Sequence, residues 1–318
     1  MSGFGFASAR GNADGAPGPN VVGAFTNGDV ECVLRLAGGQ TGAEVWRVDF
    51  ADAKPIILRA TREPIDLDPV FWFVDRITLD TTHRRAAHLD PCESSPLLLG
   101  NSTAEAALRH SVYLDGRYWY AETYVDGFPN LPTTLEELPA VFRAVAHLHR
   151  QLREPERQMR QMTDVTSFGP SRTAVERVGI CDRYGLGSHP KLAELRRRLA
   201  AVPHVPIQPV WRDLWSAHVL LHPTKPPGFI DPYAGTFDNV AVDLGRLLGS
   251  LPGLSAPQRA AALDAYDEVA ETPVDRDLVT LFEETGIVLS VLRWRTRPDS
   301  PMKSQRMTQL LPRFESLR

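Results

Sequence analysis

The chain has few cysteines, and they lie far apart in the sequence. Cys32, Cys92 and Cys181 form no CxxC pair, and no cluster of histidine and cysteine has the spacing of a zinc site. This pattern argues against a disulfide scaffold and favours buried thiols in a reducing compartment. We therefore expect a cytoplasmic protein.

Long apolar runs and an excess of basic residues are also lacking. No apolar run approaches the roughly 20 residues that a transmembrane helix needs, and the N-terminus lacks the basic and apolar segments of a signal peptide. The 35 Lys and Arg against 39 Asp and Glu give a net charge of −4, whereas a general nucleic-acid binder usually carries a basic excess. We expect a soluble protein without a membrane or nucleic-acid partner, and the oligomeric state stays open.

Apolar residues are plentiful, at 43% of 318 residues, which is enough for one large domain or two lobes. Residues 1–22 are rich in Gly, Ala, Asn and Pro without periodicity, which predicts a disordered leader. Short β-favouring runs follow, and Asp115-Gly116 between two of them is a strong hairpin signal. Five strands are predicted, at residues 32–36, 43–50, 55–60, 107–114 and 117–125. Residues 70–89 predict one helix.

The second part of the chain is predicted to be mainly helical. Thr134 and Glu137 have the spacing of a capping box, and apolar residues follow at helical spacing. Further helices are predicted at 190–202, at 256–270 and from Thr272-Pro273 onward. The sequence therefore predicts an α+β fold with a sheet-containing lobe at 23–127 and a helical lobe at 128–318.

The most informative segment runs from Trp211 to Leu248. Asp213 precedes His218 by five positions, and two apolar runs separated by a Pro-rich turn then lead to Asp231. A third acid, Asp243, opens an apolar segment of helical period. This order suits ATP-dependent phosphoryl transfer, in which one acid orients or deprotonates the acceptor hydroxyl while a polar side chain and a second acid hold Mg²⁺ on the phosphates.

The segment resembles the catalytic loop and metal-binding strand of the protein-kinase-like superfamily, and within it the aminoglycoside phosphotransferase and choline kinase branch. The resemblance covers about residues 30–300. It implies a two-lobed fold, with a five-stranded antiparallel sheet and one helix in the first lobe and the catalytic, metal and acceptor sites in the helical lobe. It also implies ATP and Mg²⁺ as cofactors, with Mn²⁺ as an alternative metal, and a small-molecule hydroxyl as acceptor.

The resemblance implies roles for the acids of the helical lobe. Asp213 would orient or deprotonate the acceptor hydroxyl, and Asp231 would hold the Mg²⁺ that bridges the phosphates. Asp243 would bond to the backbone of the catalytic loop. His147 and His149, on an A-x-L-H helix, are interpreted as structural.

The resemblance also implies nucleotide contacts in the sheet lobe. Arg59 stands where the family has the lysine that binds the α- and β-phosphates, and residues 70–89 offer no obvious glutamate to pair with it. Glu122 and Tyr124 match the hinge whose main chain binds adenine. The turn formed by Gly38, Gly39, Thr41 and Gly42 matches the phosphate-covering turn, where backbone N–H groups can cradle phosphate oxygens. A plain hairpin turn explains that sequence equally well.

Three residues depart from the family pattern: Arg59, Trp211 at the usual histidine, and His218 at the metal-binding asparagine. Imidazole is a poor ligand for Mg²⁺, which prefers oxygen. His218 could therefore hydrogen-bond a nucleotide phosphate, favour Mn²⁺, or fill space in an inactive relative. The departures leave open a pseudokinase that binds nucleotide or a partner without transferring phosphate. A protein kinase is disfavoured, because no APE-like activation segment follows Asp231.

Overall fold

The computed structural model describes residues 15–36, 43–62, 84–85, 88–89, 111–129, 137–160, 168–231 and 234–317. The chain divides into two compact units. The sheet unit comprises Met1–Leu67 with Arg85–Val125, and the helical unit comprises Asp68–Arg84 with Asp126–Arg318. The main division follows Val125, two residues before the predicted lobe boundary.

The sheet unit is built around an antiparallel sheet that confirms the five predicted strands. The elements up to the division are α1 (Pro19–Gly23), β1 (Val30–Leu36), β2 (Glu44–Phe50), β3 (Ile56–Thr61), β4 (Arg84–Arg85), β5 (His88–Leu89), β6 (Val112–Leu114) and β7 (Arg117–Thr123). The strand order is β1-β2-β3-β7-β5, and β6 also pairs with β7. The short β5 thus adds a sixth strand to the five that were predicted.

The hairpin between β6 and β7 turns at the predicted Asp-Gly pair. Asp115 has φ 53° and Gly116 has φ 74°, and two successive positive φ values are the requirement of a type I′ turn. Glycine accepts this conformation without steric cost, and aspartate tolerates it better than most residues. The hairpin prediction is therefore confirmed in its turn chemistry as well as in its place.

The helix predicted over residues 70–89 is wrong at its C-terminal end. Arg84–Arg85 and His88–Leu89 are strands, and the other residues of that prediction lie outside the described ones. In β5, His88 pairs with Glu122 and Leu89 with Ala121 of β7. Ladder pairing satisfies the backbone groups of this segment, and such tertiary pairing overrides a weak helical pattern.

The predicted disordered leader is ordered in its last part. Pro19 lies in the first turn of α1, where its fixed φ suits a helix start. Val21 and Val22 are buried against the same apolar cluster as Trp46 and Leu58 of the sheet. Burial of this apolar surface offsets the entropy lost on ordering a Gly- and Pro-rich segment.

The helical unit consists of helices joined by short strand pairs. The helices are α2 (Glu137–Arg160), α3 (Arg172–Tyr184), α4 (Leu192–Ala200), α5 (Ala241–Ser250), α6 (Ala256–Asp267), α7 (Arg276–Arg295) and α8 (Pro301–Ser316). The strands are β8 (Phe168–Gly169), β9 (Val205–Pro206), β10 (Gln208–Val210), β11 (Val219–Leu220), β12 (Gly228–Phe229) and β13 (Thr236–Asp238). Within the described ranges, no helix has the length and apolarity to cross a bilayer.

The helix starts show how the local sequence sets these bounds. Ser255 and Gln258 form a capping box, so α6 begins where it was predicted. The next helix begins at Arg276, later than predicted from Thr272-Pro273, because the Asp275 side chain accepts from the first backbone N–H groups. The helix predicted at 190–202 is confirmed as α4. Thr134, in the predicted capping box of α2, lies outside the described residues.

The helix α5 approaches α7 closely at Gly245. A Cβ atom there would lie 2.8 Å from Cβ of Phe282 and 2.9 Å from the carbonyl oxygen of Val279. These distances are shorter than van der Waals contact, so only glycine fits without a shift of α7. The close approach fixes the position of α5, which carries both Asp243 and Arg246.

We expect Gly245→Ala to lower the free energy of unfolding by about 1–3 kcal/mol, because an added methyl group forces two packed helices apart. Gly249→Ala on the same helix is the matched control: its Cβ would meet no atom closer than 3.7 Å, and alanine is the better helix former. Urea titrations of both variants measure the difference. An equal effect of the two substitutions would contradict this packing role.

Candidate active site

Two short strand pairs bring the predicted acids together in the helical unit. The aspartate loop (residues 211–215) follows β10, which pairs with β13, and the 3₁₀ turn Ser216–His218 leads into β11, which pairs with β12. Asp231 comes two residues after β12. The Ile230 N–H donates to the His218 carbonyl at 3.0 Å, and the His218 Nε2 lies 3.4 Å from Asp231 Oδ2. Asp213, His218 and Asp231 therefore meet at one place.

His218 has a defined proton arrangement. The indole N–H of Trp215 donates to Nε2 at 2.8 Å, so this nitrogen must be the unprotonated one. The proton then lies on Nδ1, which donates to the Asp213 carbonyl at 2.9 Å. Burial lowers the pKa of His218, although the carboxylates of Asp231 and Asp213 raise it. The ring is therefore neutral and ties Trp215 to the backbone of Asp213.

This arrangement does not suit two of the three interpretations of His218. A phosphate needs a free N–H donor, and a metal ion needs a free nitrogen lone pair. Both ring nitrogens of His218 are engaged within the loop, so neither is offered to a phosphate or a metal. Of the third interpretation, a filler in an inactive relative, the geometry supports only the structural part, because His218 joins Trp215 to the backbone of Asp213.

Asp213 occupies a tight and strained turn. Its N–H donates to the Trp211 carbonyl at 2.8 Å, and the residue between them, Arg212, has φ 64°. This is the rarer, positive-φ form of the three-residue γ-turn. Asp231 also has a positive φ, 63°. Of the non-glycine residues that the structure describes, only these two and Asp115 of the hairpin adopt this conformation, and such strain clusters at functional sites.

The Asp213 carboxylate is held on one side and exposed on the other. Its Oδ1 accepts from Arg246 Nε at 3.2 Å and from Nη2 at 3.1 Å. The side chain retains 41% exposure. Arg246 therefore fixes the direction of the carboxylate and leaves it accessible to a small molecule.

A buried network holds the aspartate loop from below. Asp243 is fully buried, and its Oδ2 accepts from the Trp211 backbone N–H at 2.7 Å and from His149 Nε2 at 3.0 Å. The Tyr266 hydroxyl donates to His149 Nδ1 at 2.9 Å. Burial, with the charge of Asp243 nearby, raises the pKa of Tyr266, so its hydroxyl keeps the proton that it donates. The predictions for Asp243 as a backbone anchor and for His149 as structural are confirmed.

The same network explains the tolerance of tryptophan at position 211. The bond to Asp243 uses only the backbone N–H of Trp211, which any residue except proline can supply. The buried Trp211 ring also donates its indole N–H to the Ile230 carbonyl at 3.2 Å, one residue before Asp231. Trp211 thus links the two acidic segments in the absence of the usual histidine.

We expect Tyr266→Phe to lower the free energy of unfolding by about 1–3 kcal/mol, because it leaves the buried His149 Nδ1 without a donor. Tyr184→Phe is the matched control. Tyr184 packs at the edge of the same core, and the substitution removes a hydroxyl that makes no described side-chain hydrogen bond. Chemical unfolding of the two variants measures the difference. Equal losses would show that the network adds nothing beyond packing.

In the sheet unit, Arg59 and Glu122 form an ion pair. Ile57 is opposite Glu122 and Arg59 opposite Tyr120 in the β3–β7 register, so the paired side chains are diagonal neighbours on one face. The Arg59 side chain is 12% exposed and that of Glu122 only 2%. Glu122, predicted only as a hinge residue, is therefore an ion-pair partner of Arg59.

Of the other predicted nucleotide contacts, the structure describes Tyr124 but not the glycine-rich turn. Tyr124 packs its ring against the guanidinium of Arg47, 4.3 Å from the centroid, and its hydroxyl accepts from Arg47 Nη1 at 3.1 Å. Its backbone N–H donates to the Pro55 carbonyl at 3.3 Å. Gly38, Gly39, Thr41 and Gly42 lie outside the described residues, so the phosphate-covering turn stays a prediction.

Several arginines in or near the aspartate loop were not predicted from the sequence. Arg246 lies on α5 three residues after Asp243, and Arg212 pairs with Glu176 of α3. Arg177 donates to the Phe282 carbonyl at 2.5 Å and to the Thr285 hydroxyl. Burial and the charge of Arg246 lower the pKa of Arg177 to about 10. The sequence did contain a signal for two of them: Arg212 is next to Asp213, and Arg246 lies about one helical turn after Asp243.

Comparison with known proteins gives the family. Residues 33–278 match the family model described as phosphotransferase enzyme family. The chain belongs to this family. No curated protein is similar enough in sequence to count as a match.

Solved structures show the same fold at low sequence identity. An aminoglycoside phosphotransferase from Alicyclobacillus acidocaldarius is 14% identical, with TM-score 0.56 over 96% of this chain and 94% of that one. The choline kinase LicA from Streptococcus pneumoniae is 11% identical, with TM-score 0.54 over 91% and 94%. The amicoumacin kinase hAmiN, in complex with AMP-PNP, Ca²⁺ and Ami, is 12% identical, with TM-score 0.56 over 89% and 88%. The two-lobed, protein-kinase-like fold is thus confirmed.

Proposed function

We propose that this phosphotransferase is a cytoplasmic enzyme that moves the γ-phosphoryl group of ATP to a hydroxyl of a small molecule. The observation that carries the proposal is the meeting of Asp213 and Asp231 around His218 on a strained loop that the buried Asp243 anchors. A pair of acids on a rigid support is what positioning of an acceptor beside a metal-bound phosphate requires. Family membership supports the same reaction class.

Asp213 is the residue that meets the acceptor. Its exposed carboxylate can accept a hydrogen bond from a hydroxyl and take up the proton as the phosphoryl group is transferred. Arg246 holds the carboxylate in one orientation through Oδ1, and the backbone of the aspartate loop is fixed through Asp243 and His218. This preorganisation places the hydroxyl without a reorganisation cost at the moment of transfer.

Asp231 is the residue that would hold a divalent metal. No group of three or more His, Cys, Asp or Glu side chains among the described residues could hold a metal by itself. Mg²⁺ in kinases needs no such cage, because it keeps waters and binds nucleotide phosphates with one or two carboxylates. The partly exposed Asp231 carboxylate fits that role. When bound, the ion would neutralise charge on the β- and γ-phosphates.

The sheet unit would supply the remaining nucleotide contacts. Glu122 fixes the Arg59 guanidinium, and a fixed planar fork is suited to phosphate oxygens. The Glu122 carboxylate is engaged by Arg59, and the Tyr124 backbone N–H donates to the Pro55 carbonyl, so adenine binding by this predicted hinge would fall to its remaining main-chain groups. Gly38, Gly39, Thr41 and Gly42 would cover the phosphates. The complex of the amicoumacin kinase with AMP-PNP and Ca²⁺ supports the use of nucleotide and a divalent ion.

A pseudokinase is the second candidate. The observation that favours it is His218, whose nitrogens are both engaged, so the position of the second metal ligand offers no ligand atom to Mg²⁺. Such a protein would bind nucleotide weakly or bind a partner without transfer.

Thermal unfolding with ATP and several divalent metals, followed by measurement of ADP release, separates these functions. A metal-dependent rise in the melting temperature together with ADP release is the result that the proposed enzyme gives. A rise without ADP release would favour the pseudokinase. If the melting temperature rises with none of the metals, nucleotide binding is rejected altogether.

A further inference from the structure

Two arginines lie on the ring of Trp215, beside the aspartate loop. The Arg306 guanidinium, from α8, is 4.1 Å from the ring centroid, and that of Arg246, from α5, is 5.9 Å away. Trp215 is two residues after Asp213 and donates to His218. The two guanidinium groups therefore belong to the immediate surroundings of the proposed acceptor site.

Only one of the two charges of this pair is balanced by a described carboxylate. Arg246 is bonded to Asp213, whereas the only side-chain bond described for Arg306 is a long one, 3.4 Å, to the Gln309 amide oxygen. No carboxylate among the described residues lies within ion-pair distance of Arg306. Burial and the charge of Arg246 lower the pKa of Arg306. A half-buried cation next to a like charge is costly until an anion joins it.

The other acids in this region are already engaged. Glu176 pairs with both Arg212 and Arg172. The two oxygens of Asp238 accept from the backbone N–H groups of Thr173 at 2.7 Å and Asn239 at 2.8 Å. Arg177 adds a further, partly buried cation whose pKa is lowered by burial and by the charges of Arg246 and Arg212 and raised by Asp238. Arg306 is therefore a cation near Asp213 that has no carboxylate partner among the described residues, whereas the Asp213 carboxylate pairs with Arg246 and that of Asp231 lies beside His218.

We infer that the acceptor is a hydroxy compound that carries an anionic group, a carboxylate or a phosphate monoester, held between Arg306 and Arg246 while its hydroxyl reaches Asp213. The inference rests on the proposed function. Arg246 contacts Asp213 directly, so the anionic group and the reacting hydroxyl lie a short distance apart on one compact molecule. The planar forks of two arginines suit either anion bidentately, and contact with the Trp215 ring helps to hold both guanidinium groups in place.

The same charges disfavour a cationic acceptor. A quaternary or primary ammonium group placed beside Arg246 and Arg306 would be repelled, and like-charge contact of this kind is a strong determinant of specificity. We therefore expect a positively charged alcohol to be a poorer ligand than an anionic one of the same size.

Binding of small anions tests the inference without knowledge of the acceptor. Inorganic phosphate and acetate are titrated calorimetrically into the whole chain in the presence of saturating Mg·ADP. Chloride salts keep the ionic strength constant. We expect saturable binding of at least one anion, and the preferred one identifies the class of the acceptor group. Arg306→Gln should weaken this binding by about tenfold or more, since a charge-assisted pair is lost. Arg306→Lys keeps the charge but not the fork and should give an intermediate loss.

Arg293→Gln is the control for net charge, because Arg293 is an exposed residue of α7. It should leave anion affinity unchanged. If Arg306→Gln does not fold, the comparison of wild type, Arg306→Lys and Arg293→Gln decides. No saturable binding to the wild type, unchanged affinity in both Arg306 variants, or an equal loss in Arg293→Gln would overturn the inference.

Failure of the inference is distinguishable from failure of the proposed function. Mg·ADP binding is measured first, in the same samples, and reports on the nucleotide site alone. Nucleotide binding without anion binding would reject the anionic acceptor and leave the phosphotransferase proposal intact. Loss of nucleotide binding in the wild type would reject the proposed function itself.

Discussion

Replacing Asp213 with asparagine should lower turnover by about 10²- to 10⁴-fold, the range typical of a general base or orienting group, while Mg·nucleotide affinity stays nearly unchanged. Asparagine keeps the size of the side chain and can still accept from Arg246, but it cannot take up a proton. The aspartate loop is held by backbone bonds through Asp243 and His218, so its conformation should survive. ADP release with an acceptor found for the wild type, or with water in its place, measures the effect.

Asp182→Asn is the matched control for Asp213→Asn. Asp182 lies near the far end of α3 and, like Asp213, pairs with an arginine, Arg196, at 2.7 Å. Its replacement removes a comparable surface ion pair, which contributes little to stability, and should leave turnover unchanged. Equal turnover of wild type and Asp213→Asn would remove Asp213 from the chemistry and leave it as a loop residue.

Replacing Asp231 with alanine should abolish the metal-dependent part of nucleotide binding. Metal-free nucleotide should bind both proteins with similar, weak affinity, because the carboxylate acts only through the ion. Calorimetric titration of nucleotide with and without Mg²⁺ measures both terms. An equal effect of Mg²⁺ in wild type and variant would rule out the metal role.

Backbone strain requires a second variant at this position. Asp231 has φ 63°, and alanine in the left-handed region costs roughly 1–2 kcal/mol. Asparagine tolerates that conformation and replaces the carboxylate with a neutral, weaker oxygen ligand, so Asp231→Asn should weaken the metal effect without the strain. Asp264→Ala, at an exposed acid of α6 that pairs with Arg276, should keep the full effect of Mg²⁺.

The parts of the fold that are set by residues close together in the sequence were predictable from it. The strand pattern, the Asp115-Gly116 turn and the Ser255 cap are local signals whose physics is complete within a few residues. The helix predicted over 70–89 fails at its end for the opposite reason. Pairing of β5 with the distant β7 decides the structure there, and no local signal reveals that pairing.

The candidate site divides in the same way. The order of Asp213, His218 and Asp231 predicted their meeting, because the intervening strands are short and consecutive. The pairing of Arg59 with Glu122 depends on the register of β3 against β7. The contact of Arg306 with Trp215 depends on how α8 packs, far along the chain from residue 215. Contacts between residues so distant in sequence leave no pattern that a single sequence can show.

The protons of His218 could not be predicted from its position. A histidine five residues after an acid indicates a polar contact, but the Trp215 indole decides which nitrogen is protonated. That indole N–H occupies the lone pair that a metal ion would need, and the Asp213 carbonyl accepts the N–H that a phosphate would need. We therefore propose that His218 supports the aspartate loop and is not a ligand of the nucleotide or the metal.

Transfer of a labelled γ-phosphoryl group tests the central claim most directly. Wild type and Asp213→Asn are incubated with Mg²⁺, γ-labelled ATP and a protein-free extract of small metabolites, and the products are separated by mass spectrometry. We predict that the wild type forms a small molecule that has gained one labelled phosphoryl group, and that Asp213→Asn forms little or none at equal nucleotide occupancy. The same labelled product in equal yield from both proteins, or no labelled product from a wild type saturated with nucleotide, would contradict the account.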